Sequence, residues 1–154
     1  MAMYLCNVGN GSDEGIIKPI FSDGVLYTDA FDFDVSQSRP NCEISGKYII
    51  CTESSSSTRN GFKLKRKDTS KIYNILIVFT VENTSNARYQ YGTCTADADP
   101  YLCAATGAGR NTYNEGNLGA GNSLKTEYNR NTSDAFFVDF TNSVKVSGIY
   151  YLES

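Results

Sequence analysis

The segment formed by residues 72–81 is the sequence feature that most constrains the fold. It reads Ile-Tyr-Asn-Ile-Leu-Ile-Val-Phe-Thr-Val, which is largely apolar on both faces of an extended chain. β-Branched and aromatic side chains are stiff and pack well on a pleated surface, so the segment favours a strand over a helix. A strand that is apolar on both faces must be covered on both. We therefore predict that residues 72–81 form the central strand of a sheet.

Alternation and turn signals predict further strands along the chain. Phe31, Phe33 and Val35 share one face of an extended segment, while Asp32 and Asp34 share the other, which is typical of a half-buried strand. Such segments recur about every 8–12 residues, and no stretch longer than a single turn shows helical periodicity. We predict one all-β domain of 154 residues. Its expected fold is an antiparallel β-sandwich or jelly-roll-like domain with one long Gly/Asn-rich loop.

Two hairpins are predicted from short connections. Asp23 and Gly24 lie between the apolar residues 16–21 and 25–27, and an Asp-Gly pair in this position favours a type I′ turn. Residues 62–66 also alternate, and only a short turn separates them from the central strand. We predict that they pair with it as a second hairpin.

A third hairpin predicts a specific register for two cysteines. If Gly46 is the first residue of a two-residue turn, Ser45 faces Tyr48 and Cys42 faces Cys51. The two cysteines then occupy a non-hydrogen-bonded pair, where Cα atoms are about 4.5 Å apart and a disulfide can form. A cross-strand disulfide and a pair of free, partly buried thiols both fit this position.

The segment between Cys94 and Cys103 is predicted to be an acidic loop, for which these cysteines form a second candidate disulfide. Asp97 and Asp99 offer oxygen ligands, but the further acidic positions and the glycine of a calcium-binding EF-hand are missing. We therefore predict no metal there. Five cysteines leave one over, and Cys6 is the candidate for a buried thiol or an intermolecular bond.

A cluster of cations along the chain is a candidate basic face. Its members are Lys63, Lys65, Arg66 and Lys67, with Phe62 and Tyr73 nearby. Such a cluster can bind nucleic acid or a glycosaminoglycan. More often it is a solvated strand face or a protected sheet edge. The overall net charge of -3 gives no general attraction to nucleic acid or to anionic membranes.

Residues 104–122 are predicted to be the long Gly/Asn-rich loop, and long loops inside a domain tend to be functional. Their glycines lack the strand-to-helix context and the lysine of a phosphate-binding loop. We predict a recognition or inter-subunit loop instead, because a tyrosine gives a large contact area at little entropic cost. The candidate recognition residues are Arg110, Asn111, Tyr113 and Asn114.

Most catalytic sites are excluded by composition. The chain contains no histidine, which removes Ser-His-Asp triads, Cys-His pairs and histidine-ligated metals. The cysteine spacing does not fit a zinc site either. A glycosidase with a carboxylate pair is the remaining enzymatic alternative. Its candidate acids are Asp29, Asp32, Asp34, Glu43, Glu53, Asp97 and Asp99.

Residues 1–10 lack a basic region followed by an apolar run, so we predict no signal peptide. No run of 18 apolar residues exists, so we predict no membrane span. The sequence Ser147-Gly148-Ile149-Tyr150 is similar to the element that precedes the last strand of bacterial fimbrial subunits. No family assignment is made on this likeness. The β-rich pattern, the long Gly/Asn-rich loop and the absence of an enzyme signature are what indicate a subunit of a larger assembly.

We predict a non-enzymatic structural or attachment component, such as a virion decoration or tail protein or a fimbrial-type subunit. It would need no cofactor, would form a homo- or hetero-oligomer with protein partners, and would lie at an extracellular surface or on a virion. The alternative is a module that binds a glycan or a cell-surface receptor through loop tyrosine and asparagine side chains. The absence of tryptophan, a frequent interface anchor, weighs against this alternative.

Overall fold

The computed structural model describes residues 16–35, 37, 42–52, 60–81, 87–118, 124–131, 134–140 and 143–153. The elements in chain order are β1 (Ile17–Ser22), β2 (Val25–Leu26), β3 (Phe31–Val35), β4 (Cys42–Ser45), β5 (Tyr48–Cys51), β6 (Asn60–Arg66), β7 (Tyr73–Val81), β8 (Ala87–Cys94), α1 (Pro100–Ala105), β9 (Asn114–Leu118), β10 (Leu124–Asn131), β11 (Ala135–Phe140) and β12 (Val144–Glu153).

The strands form two antiparallel sheets that enclose the core. In the first sheet the order is β10-β7-β12-β1-β2, with β5 also paired to β12 and β4 paired to β5. In the second sheet the order is β3-β6-β11-β8-β9. Apolar side chains from both sheets meet in one cluster between them. The predicted all-β sandwich is confirmed.

Strand β7 is central and buried on both faces, as the sequence predicts. It lies between β10 and β12. Ile75, Ile77 and Phe79 belong to the core cluster between the sheets, while Leu76 and Val78 are buried on the opposite face beside Tyr150. Complete burial of one such side chain stabilises a fold by about 1.5–3 kcal/mol, so each of these five side chains adds to the stability of the sandwich.

The predicted pairing of residues 62–66 with the central strand is wrong. Strand β6 pairs with β3 and β11 in the second sheet, whereas β7 pairs with β10 and β12 in the first. The residues between β6 and β7 therefore cross from one sheet to the other. A short polar connection can join strands that pair edge to edge or strands that stack face to face, and the sequence does not separate these cases.

The two predicted turns with glycine are confirmed. Asp23 and Gly24 both have positive φ, at 56° and 82°, as a type I′ turn requires. Gly46 has φ 60°, and the register that it sets places Ser45 opposite Tyr48. The hairpin β4–β5 therefore has the predicted alignment along its length.

Helix α1 was not predicted. Asp99 caps its N-terminus by accepting a hydrogen bond from the Tyr101 amide at 2.9 Å, and Pro100 occupies the first turn. This Asp-Pro pair is a recognised start signal, but six residues are too few to show a helical period. The helix packs on the outer face of the second sheet, where Cys103 and Phe137 are buried together.

The prediction of a structureless loop over residues 104–122 is wrong in its first part. Residues 104 and 105 end α1, and β9 pairs with β8 at the edge of the second sheet. Residues 119–123 lie outside the described residues. Asn- and Gly-rich strands have low intrinsic preference for a sheet, and β9 forms because an existing edge pairs with it.

Candidate functional site

The candidate recognition residues lie where the chain passes from α1 to β9. The guanidinium carbon of Arg110 lies 4.2 Å from the centre of the Tyr113 ring, within the range of a cation–π contact. Arg110 also donates a hydrogen bond to the Cys103 carbonyl at 3.2 Å. Asn111 and Asn114 are exposed on either side of Tyr113. The structure thus brings Arg110 and Tyr113 into contact, while the recognition role of the four residues stays a prediction.

The hydroxyl of Tyr113 is held by two strands. It accepts a hydrogen bond from Gln90 Nε2 and donates one to Glu115 Oε2 at 2.6 Å. Arg88 forms an ion pair with the same carboxylate, and this contact raises the pKa of the guanidinium. We call Arg88, Gln90, Arg110, Tyr113 and Glu115 the Tyr113 platform.

The platform combines an accessible ring with buried support. Tyr113 is 36% exposed, whereas Gln90 is only 2% exposed. The side chains of Arg88 and Glu115 are each 44% exposed. A rigid aromatic ring flanked by a guanidinium, an amide and a carboxylate offers a stacking surface and fixed hydrogen-bonding groups. Such a surface can bind a ligand that has both apolar faces and hydroxyl groups.

The backbone before Tyr113 is pinned to β8. The amides of Asn111 and Thr112 both donate to the Thr93 carbonyl, at 2.8 and 3.3 Å. The Thr112 hydroxyl accepts from the Thr93 amide at 2.9 Å. Gly92 is required beneath this segment, because a Cβ at that position would overlap the Thr112 carbonyl oxygen. The ring of Tyr113 is therefore carried by a backbone that is fixed before any ligand arrives.

The residues of the predicted basic face differ in burial and in the groups that they contact. Lys63 is 3% exposed, and its ammonium donates to the carbonyls of Ala96 and Ala98 at 2.6 and 2.8 Å. Its role is to hold the turn that precedes α1. Phe62 and Leu64, its neighbours along the strand, are buried in the core on the other face.

The other three cations differ in burial and in partners. Arg66 is buried and donates to the Lys71 carbonyl. Lys67 is exposed and lies 3.6 Å from Asp32 Oδ1, while Lys65 is exposed. The four cations consequently do not form one basic surface.

Both predicted cysteine pairs are close together. Cys42 lies opposite Cys51 in the sheet, and their sulfurs are 2.9 Å apart. Cys94 and Cys103 are buried in one cluster under α1. The four cysteines are present as free thiols, so the two disulfides stay predictions. Cys6 lies outside the described residues.

Three further features concern other classes of site. Asp97 accepts a hydrogen bond from the Thr95 hydroxyl at 3.0 Å, and Asp99 is the helix cap. Across the described ranges, no group of three or more cysteine, aspartate or glutamate side chains is arranged to hold a metal ion. Among the same residues, no helix is long and apolar enough to cross a membrane.

No family model and no curated protein matches this sequence. Solved structures are similar in fold. A family 29 carbohydrate-binding module, as a lysine-to-alanine mutant complexed with cellulohexaose, is 15% identical, with 90% of each chain covered and a TM-score of 0.50. An arginine-to-alanine mutant of the same module is 13% identical and has a TM-score of 0.48, with 88% of this chain and 90% of that chain covered.

The enzymatically active domain of tailspike protein 4 from bacteriophage CBA120 is 10% identical and has a TM-score of 0.46. The match covers 96% of this chain and 21% of the tailspike chain. At 15% identity, the likeness to the cellulohexaose complex shows the sandwich fold alone.

Proposed function

We propose that this chain is a carbohydrate-binding module and that the Tyr113 platform is its glycan-binding surface. The observation that carries the proposal is the exposed Tyr113 ring, which Arg110 holds on one face while Gln90 and Glu115 hold its hydroxyl. The fold supports the proposal, since a family 29 carbohydrate-binding module has the same type of sandwich. Glycan binding was the alternative interpretation of the sequence, and the platform makes it the preferred one.

The chemistry of the platform suits a sugar. A pyranose ring has a face of C–H groups that packs on an aromatic ring, and an edge of hydroxyls that each donate and accept hydrogen bonds. Arg110 occupies one face of the Tyr113 ring, so a sugar would stack on the other face. The partly exposed guanidinium of Arg88 and carboxylate of Glu115 would bind neighbouring hydroxyls, because charge-assisted hydrogen bonds are the stronger ones.

The absence of tryptophan does not oppose this proposal. Tyrosine also provides a flat apolar face and a polar end, and the hydroxyl of Tyr113 is used to fix the ring. A surface that is ordered before binding loses little conformational entropy when the ligand arrives. The hydrogen bonds that join Thr93 to Asn111 and Thr112 supply this order.

The test is affinity gel electrophoresis against a panel of soluble β-glucans, xylans, mannans and galactans, followed by calorimetry with cellohexaose and with oligomers of any polysaccharide that retards the protein. Tyr113→Ala is expected to weaken binding at least about tenfold, since truncation of a central aromatic anchor costs about 2 kcal/mol or more. Tyr113→Phe keeps the ring and is expected to lose less affinity.

The matched control is Tyr27→Ala, which removes another tyrosine of similar exposure, 39%. It should bind like the unmodified protein. Thermal unfolding of all three variants separates a binding defect from a folding defect. Retardation by no polysaccharide, or unchanged affinity in a folded Tyr113→Ala protein, contradicts the proposal.

The assembly role predicted from the sequence stays a prediction. A glycan-binding module can itself be an attachment component, so the two functions are compatible, and an extracellular or surface location follows from the proposal. Light scattering at increasing protein concentration tests the oligomer. A strict monomer at high concentration would count against the assembly role and would leave glycan binding untouched.

A further inference from the structure

A separate cavity of about 320 Å³ opens where several strands begin or end. Tyr73 is the first residue of β7 and Glu153 the last of β12, while Lys18 lies near the start of β1. The segments next to β3 and β6 complete the wall with Asp29 and Lys67. The cavity therefore lies at an end of the sandwich. We call it the tyrosine pocket.

The base of the tyrosine pocket is aromatic and rigid. Tyr73 and Tyr151 line it, although they are only 2% and 8% exposed. Their ring centres are 5.4 Å apart, and each packs edge-on against Phe31, at 4.8 and 5.6 Å. Because the rings are buried in this cluster, we infer that the hydroxyl ends are the parts that reach the cavity.

Both hydroxyls are kept in the protonated form. Burial raises the pKa of Tyr73 and of Tyr151. The negative charge of Glu153 raises the pKa of both further, and that of Asp29 also raises the pKa of Tyr151. A protonated phenol can donate one hydrogen bond and accept another. The base of the pocket thus presents two fixed groups of this kind.

The walls of the pocket have equal numbers of positive and negative groups. The ammonium groups belong to Lys18, Lys67 and Lys71, and the carboxylates belong to Asp29, Asp68 and Glu153. Lys71 already binds Glu153 at 3.0 Å, and Lys67 lies 3.6 Å from Asp32. Asp68 accepts from the amide and the hydroxyl of Ser70, at 3.0 and 2.6 Å.

Two wall residues differ from the others. The side chains of Lys18 and Asp29 make no hydrogen bond or ion pair within the part of the chain that the structure describes. They leave one strong donor and one strong acceptor in the wall of the pocket. A wall with balanced charge gives no net attraction to an anion or a cation, but it suits a neutral ligand whose hydroxyls each donate and accept.

We propose that the tyrosine pocket binds one uncharged sugar residue at the end of a glycan chain, with Lys18, Asp29 and the hydroxyls of Tyr73 and Tyr151 as its hydrogen-bonding groups. The volume of about 320 Å³ lies at the small end of the range for ligand pockets, which fits a single sugar residue better than a chain. This inference rests on the proposed function. It adds a site that binds the end of a glycan chain to the Tyr113 platform, on which a sugar ring within a chain would stack.

The experiment is a titration of the ¹⁵N-labelled protein with the methyl glycosides of glucose, mannose, galactose and xylose, followed by amide chemical shifts. We expect at least one glycoside to move the amide signals of Lys18, Asp29 and Tyr151. Asp29→Asn should weaken that binding about tenfold, because a charge-assisted hydrogen bond becomes a weaker neutral one. Lys18→Met is the second variant and should have the same effect.

Two controls locate the effect. Asp34→Asn changes an exposed carboxylate on β3, outside the pocket, and should leave glycoside affinity unchanged. Tyr113→Ala should keep glycoside binding in the tyrosine pocket while it weakens polysaccharide binding. The dispersion of amide signals reports whether each variant is folded.

Each result decides between the two proposals. If polysaccharides bind and Tyr113→Ala weakens that binding, but no glycoside moves the pocket signals, the tyrosine pocket is refuted and the platform stands. If glycosides bind in the pocket while no polysaccharide binds, the platform is refuted and the pocket stands. Equal shifts with sodium phosphate or sodium acetate would identify an anion site and refute the sugar assignment. A protein that binds neither polysaccharides nor glycosides refutes both.

Discussion

Oxidation of Cys42 and Cys51 to a disulfide is expected to stabilise the protein by an amount that the structure allows us to calculate. The two residues face each other across β4 and β5, with sulfurs 2.9 Å apart. Small side-chain rotations would bring the sulfurs into bonding distance, because the cross-strand position already satisfies the backbone requirement. Little strain should oppose the bond.

The stabilisation follows from the loop that the bond would close. The cysteines are separated by nine positions, so the loop contains about ten residues. Closing such a loop removes about 9 cal/mol/K of entropy from the unfolded chain, which is about 2.7 kcal/mol at 25 °C. For a chain of 154 residues this corresponds to a rise in melting temperature of about 5–11 °C.

The structure also predicts how fast Cys42 and Cys51 oxidise. Burial raises the pKa of the Cys51 thiol well above its ordinary value, and the reactive species is the thiolate. The folded protein should therefore oxidise slowly. Refolding under air or oxidised glutathione should be faster, because the thiols are then exposed.

The assay uses a background in which Cys6, Cys94 and Cys103 are replaced by alanine, so that a single pair remains. Intact mass should fall by about two units on oxidation, and urea unfolding should give a free energy of unfolding about 2.7 kcal/mol higher without reductant than with it. The control adds Cys42→Ala to the same background, and its free energy of unfolding should be the same with and without reductant. An oxidised sample whose unfolding midpoint does not respond to reductant would refute the entropy argument, and an unchanged mass would refute the bond itself.

Two further substitutions test contacts that support the platform and the turn before α1. Lys63→Met should lower the free energy of unfolding by about 2–5 kcal/mol in urea, because two carbonyl oxygens lose their donor. Lys65→Met, which changes an exposed lysine two positions along the same strand, should alter it by less than about 0.5 kcal/mol. Gly92→Ala should displace the Thr112 carbonyl and weaken polysaccharide binding about tenfold or more while far-ultraviolet circular dichroism stays that of a β-protein; unchanged affinity would show that the loop position does not matter.

The sequence predicts local features well because their physical causes are local. Positive φ at Asp23, Gly24 and Gly46 fixes two turns, and each turn sets the alignment of its strands. The pattern of residues 72–81 predicts burial on both faces, since no polar face is available for solvent. These predictions need no knowledge of distant residues.

Features that depend on distant residues were missed. The sheet to which β6 belongs depends on its pairing with β3 and β11, and β9 depends on the edge of β8. For the same reason, Arg110 and Tyr113 were identified from the sequence but their supports were not. Gln90 reaches Tyr113 across a separation of 23 positions, and no local pattern indicates that contact.

The pairing of β1 with β12 has a consequence for how the chain folds during synthesis. Strand β1 pairs with β12, which begins at residue 144. This pairing can therefore form only after nearly all of the described chain has been synthesised. Contacts between residues so distant in sequence slow folding. Until β12 has been synthesised, the unpaired edge of β1 is a site at which chains can aggregate. We expect nascent chains that stop before residue 144 to remain unfolded and protease-sensitive, and β12 to be the element whose arrival closes the first sheet.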